Sequence, residues 1–123
     1  MNKIIKIILL TVLLLLQIQN ISANEKIKIG LLVPLSGKNS EIGQSIIKAT
    51  QLAINKIDNS SIEIIPRDTK SNPEITLRNA KELAELGVKI VIGPVFHDSL
   101  SYLDELKNII FLSLTNKVNN TPK

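Results

Sequence analysis

Cysteine is absent from the 123 residues, and tryptophan with it; there is one histidine, His97, and the aromatic residues are Phe96, Tyr102 and Phe111 alone. Without cysteine the chain has no disulfide framework, no thiolate metal site, no cysteine nucleophile and no lipid-modified bacterial N-terminus, so packing alone must stabilise it. A metal site would depend on carboxylates, and no group of them has ligand spacing. Arginine occurs only at positions 67 and 78, whereas Ile, Lys and Asn together supply 46 positions. An AT-rich coding sequence produces that skew through its codons, so exposed lysines and asparagines carry little functional weight. The net charge of +4 falls to +2 once Lys3 and Lys6 are set aside. That balance indicates a solvated surface, not a nucleic-acid or membrane-surface partner. The length allows one domain, and periodic Ile, Leu and Val up to Leu114 argue against disorder.

Lys3 and Lys6 precede an apolar run from Ile7 to Leu16, followed by the polar Gln17, Gln19 and Asn20 and then Ser22 and Ala23. That order predicts a secretory signal peptide over residues 1–23, cleaved after Ala23, and a periplasmic location. The alternative is an uncleaved signal anchored in the inner membrane. The apolar run is short beside the ~20 residues that a spanning helix prefers.

Ile27, Ile29 and Leu31 to Val33, ended by Pro34, predict a first strand. Asn39 or Ser40 then caps a helix with an inward stripe of Ile42, Ile46, Ala49, Ala53 and Ile57, broken at residues 58–60. Ile62 to Ile65 running into Pro66 predicts a second strand, placed at a sheet edge by its proline. Asn72-Pro73-Glu74 starts a second helix that Gly87 stops, with Thr76, Ala80, Leu83 and Ala84 facing inward. Val88 to Ile92 forms the third strand, Asp98 or Ser99 caps a short helix carrying Leu100, Leu103 and Leu106, and Ile109 to Ser113 forms the fourth strand. Strands alternating with helices imply an α/β fold, a doubly wound parallel sheet, and right-handed crossovers set its order as 2-1-3-4. The domain extends over residues 24–116, and the polar segment 117–123, with Pro122, is expected to be a disordered tail.

A ligand of such a sheet sits beyond the carboxyl ends of the strands. The loops there lack an enzyme's equipment. The glycines miss the dinucleotide spacing, there is no phosphate-loop Gly-Lys-Ser or Gly-Lys-Thr, and no acids end the first strand as in a phosphorelay receiver. His97, Asp98 and Ser99 are neighbours in one loop and cannot meet as a catalytic triad. Their expected roles are a helix cap for Asp98 or Ser99 and an exposed His97. The chain is read as non-catalytic and without a cofactor.

The run from Ile27 to Gly37, then Ile42-Gly43-Gln44 opening a helix, resembles the start of periplasmic binding proteins of the leucine-binding type. Arg67-Asp68-Thr69-Lys70 to Pro73, Ile92-Gly93-Pro94, and Phe111 to Asn116 resemble the following links in the same order. The wording is most similar to the branch of penicillin-binding protein activators. The resemblance implies a two-lobed protein of which this chain is the truncated first part, the remnant of a split or shortened gene. It implies ligand-binding positions at Ser36, His97, Ser99 and Thr115. Transport members often carry an aromatic ring at the position of Ile42 and a small hydroxyl residue at that of His97, so free amino acids should bind weakly. Three roles follow as expectations: an exported fragment without independent activity, an interaction module for a cell-wall synthase, or the amino-acid-binding component of an ABC transport system. With no fifth strand, the fourth strand would leave an open sheet edge available for self-association.

Overall fold

The computed structural model describes residues 2–16, 26–57 and 61–115. The cleavage position Ala23, the expected helix break at 58–60 and the tail 117–123 lie outside the described residues. Helix α1 spans Lys3–Leu16, and its side chains from Lys3 to Val12 are all exposed, so they add nothing to the core. Among the described residues no helix is long and apolar enough to cross a membrane.

The remaining elements alternate: β1 Ile27–Val33, α2 Ser40–Ile57, β2 Ile62–Asp68, α3 Pro73–Glu85, β3 Ile90–Ile92, a 3-10 turn His97–Ser99, α4 Leu100–Leu103 and β4 Ile110–Leu112. The four strands form one parallel sheet in the order β2-β1-β3-β4, as the crossover rule predicts. Pro66 lies within the edge strand β2, where its missing N–H costs no ladder bond to an outer neighbour.

Register sorts the side chains between two faces. Gly30 stands beside Ile65 and Val91, and Val91 beside Phe111, so these share the face that α3 covers. Leu32, Val91 and Val88 pack there with Ala80 and Leu83 of α3, Leu103 of α4 and Ile109 to form the core. α3 begins as expected: Asn72 accepts a hydrogen bond from the Ile75 N–H at 3.0 Å, with Pro73 at the first helical position. It ends at Gly87, whose φ of +81° suits a residue without Cβ.

The other face carries Leu31 and Val33, both fully buried, under α2. Here the expected stripe is corrected. Ile42, Ala49, Ala53 and Ile57 are exposed, and the face turned to the sheet runs through the buried Gly43 and the half-buried Ile46, Ile47, Thr50 and Ile54. Gly43 is the cause. It presses directly on the Pro34 carbonyl, which makes it the point of closest approach and sets the rotation of the whole helix. An apolar stripe counted without glycine misses that contact.

Two shorter elements also differ from expectation. β3 and β4 have three residues each, and Val88 and Ile109, just ahead of them, are buried without being part of a strand. α4 stops at Leu103, so Leu106 packs from the following turn and not from the helix.

Candidate functional site

All four strands point the same way, so Val33, Asp68, Ile92 and Leu112 end at one rim, and the loops beyond them form the candidate site. Asp68 organises this rim. Its carboxylate accepts the N–H of Leu35 at 2.8 Å and that of Lys70 at 2.9 Å, and it also receives hydrogen bonds from the side chain and N–H of Ser36. Partial burial pushes its pKa up, but the Ser36 hydroxyl and the three N–H groups outweigh it and hold the carboxyl below its ordinary value of 3.8.

The turn after Asp68 is equally committed. The Thr69 N–H donates to Val33 O at 3.0 Å, and the buried Asn79 of α3 donates to Asp68 O at 2.7 Å. Lys70 and Ser71 follow with φ of 50° and 55°, a left-handed pair that side chains disfavour and that these bonds hold in place. Asn39, at the entry to α2, donates its side-chain amide to Ser71 Oγ at 3.0 Å and so ties the first loop to the second.

Because the carboxylate binds its donors only when ionised, Asp68 contributes stability above its unfolded pKa and loses it as pH falls through the lower folded value. Asp68→Ala is therefore expected to cost about 2 kcal/mol near neutral pH, the scale of hydrogen bonds to a charged group. The gap from the parent chain should close below pH 3.8. Urea denaturation at neutral and acid pH measures it; an equal cost at both would mean the charge is not the anchor.

The four positions drawn from the resemblance are spread along the rim. Ser36 is exposed and engaged with Asp68. Ser99 is buried, 3.4 Å from Thr76 Oγ1, and its hydroxyl makes no cap bond. This corrects the expected cap: residues 97–99 wind as a 3-10 turn, and Thr76 on α3 draws the Ser99 side chain inward. His97 is half-buried instead of exposed, and its Nδ1 is buried without a hydrogen-bond partner. Thr115 follows β4, with its N–H on Ser113 Oγ at 3.3 Å. A cleft of about 240 Å³ lies between the first three loops, lined by Lys38, Asn39, Ser71, Pro73, Phe96, Asp98 and Ser99. Of the four positions only Ser99 lines it. The organising role of Asp68 was missed, although a lone acid ending an apolar strand opposite the Pro34-Leu35-Ser36-Gly37 turn is a signal that could have found it.

A family model described as periplasmic binding protein matches residues 26–123. The chain belongs to the periplasmic binding protein family. No curated protein matches it. Among solved structures it is similar to a solute binding protein of an ABC transporter from Rhodopseudomonas palustris BisB5, in complex with 3,4-dihydroxybenzoic acid. That match has a TM-score of 0.68 and 25% identity over 74% of this chain and 27% of that one. The C-domain of LpoA from Haemophilus influenzae, a regulator of PBP1A, matches with a TM-score of 0.60 and 26% identity over 78% of this chain and 29% of that one. The leucine binding protein LivK from Thermotoga maritima shares the fold, with a TM-score of 0.67 at 18% identity over 74% of this chain and 28% of that one. The periplasmic binding protein sequence here thus spans less than a third of each of these structures.

Proposed function

We propose that the chain is an exported, non-catalytic element of the periplasmic binding protein fold that retains no small ligand on its own. The observation that carries this reading is where three of the rim's polar side chains go. Ser36 serves Asp68, Ser99 serves Thr76 and Asn39 serves Ser71. What faces solvent is a small cleft on one side of a sheet, whereas pockets of useful affinity bury ~70% or more of a ligand's surface. Ile42, at the position where transport members often carry a ring, is itself exposed and offers a narrower apolar contact. Export rests on Lys3, Lys6 and the apolar run before Ala23.

Calorimetric titration of residues 24–123 with a panel of amino acids and with benzoate is expected to give no saturable heat at micromolar ligand. A one-to-one micromolar complex would overturn the proposal in favour of an amino-acid-binding transport component. A second reading, a docking module for a cell-wall synthase, is favoured by the LpoA likeness, which covers more of this chain than the transport relatives named above.

A further inference from the structure

We propose that the third loop, residues 95–99, is a flap that opens on its own while the first two loops stay locked to each other. The lock centres on Asp68. From the end of β2 its carboxylate takes the Leu35 N–H of the first loop at 2.8 Å and the Lys70 N–H of the second at 2.9 Å. Asn39 adds a side-chain bond to Ser71 Oγ at 3.0 Å, and the Thr69 N–H closes on Val33 O at 3.0 Å. These bonds join the ends of β1 and β2, and those to the ionised carboxylate are of the stronger kind.

The third loop is held more lightly. Ser99 Oγ reaches Thr76 Oγ1 only at 3.4 Å, beyond the ~3.0 Å within which hydroxyl bonds are strong, and Thr76 Oγ1 already donates to Asn72 O at 2.8 Å. The 3-10 turn His97–Ser99 has no side-chain cap. His97 Nδ1 is buried in the closed form without a hydrogen-bond partner. Swinging outward returns that nitrogen to water, so the closed form carries a cost that the open form does not.

The flap has two fixed ends. At its base Gly93 N–H donates to Leu112 O at 2.9 Å and Leu114 N–H to Pro94 O at 3.0 Å, and beyond it Leu103 is buried in the core. Motion is thereby confined to the residues between, where Val95, Phe96 and His97 are half-buried and Asp98 is exposed. Phe96, Asp98 and Ser99 form one wall of the cleft of about 240 Å³, opposite Lys38, Asn39 and Ser71 of the locked loops. Opening therefore draws a mobile wall away from a fixed one and frees the Ser99 hydroxyl from Thr76. The open form is a minor state, reached by local opening at a lower free energy than global unfolding.

Amide hydrogen exchange of the full chain, followed residue by residue at low urea concentrations, tests the proposal. Ser99 N–H bonds Phe96 O and Leu100 N–H bonds His97 O, so these two amides report the flap, whereas Thr69 and Asn72 N–H report the lock. The flap amides are expected to exchange at least tenfold faster than the lock amides, at a rate that low urea does not change. H97L, which puts an apolar group where the buried nitrogen was, should slow the flap amides about tenfold and leave Thr69 and Asn72 unchanged. S99A, which removes the contact with Thr76, should speed the flap amides severalfold, again without effect on the lock. Asp68→Ala should do the reverse, speeding Thr69 and Asn72 alone. Flap and lock amides that share one rate and one urea dependence, an H97L variant whose flap amides are not slowed, or an S99A variant that speeds both sets together would overturn the proposal.

Discussion

Val91→Asp is expected to abolish cooperative folding. Val91 is fully buried at the centre of the sheet, packed with Leu32, Ala80, Leu83 and Leu103, with no cation or polar partner in that cluster to meet a carboxylate. An unpaired buried charge costs more than the ~5–15 kcal/mol of net stability that small domains have. Val91→Ala, which only opens a cavity, should cost about 2 kcal/mol and keep a sharp urea transition. Ile29→Asp, which by sequence position looks equally severe, should cost less, because Ile29 is half-buried on the α2 face. A sharp unfolding transition retained by Val91→Asp would mean that β3 is not the centre of the core.

Gly43→Ala is expected to destabilise the fold strongly for one added methyl group. A Cβ at position 43 would overlap the Pro34 carbonyl, which is backbone and cannot rotate aside, so the first turn of α2 must lift from the end of β1. Overpacking of this kind costs about 3 kcal/mol, and the displaced loop also carries the Leu35 and Ser36 donors of Asp68. Gly37→Ala is the control. A Cβ there meets nothing within 4 Å, and only the left-handed φ of 76° disfavours it, by about 1 kcal/mol. Urea midpoints of the two variants should therefore separate clearly; equal midpoints would mean that the approach of α2 to Pro34 is not a fixed contact.

These two positions show how far the fold was legible in the sequence. β-branched runs ended by proline or glycine located the strands, and the crossover rule gave their order, because both depend on local chemistry and chain chirality. α3 was legible for the same reason: its cap, its Pro73 and its Gly87 are adjacent in sequence. α2 was not, because its rotation is fixed by one glycine against a carbonyl from another element, and a periodicity of apolar residues carries no trace of a missing Cβ. The rim was partly legible. The loops at the carboxyl ends lie where expected, and two hydroxyl residues noted there hydrogen-bond neighbours distant in sequence, Ser36 with Asp68 and Ser99 with Thr76. Residue type at a loop position does not reveal which way a short side chain turns when a buried partner competes for it.

We propose that residues 24–123 fold without a bound ligand and that the rim, on its own, retains none. An amide correlation spectrum of residues 24–123, recorded before and after adding millimolar leucine and then benzoate, tests both halves at once. The account predicts a dispersed spectrum of a folded chain whose signals from residues 35–39, 68–73 and 96–99 stay in place or drift without saturating. Saturable shifts at those loops at micromolar ligand, or a collapsed spectrum before any ligand is added, would contradict it.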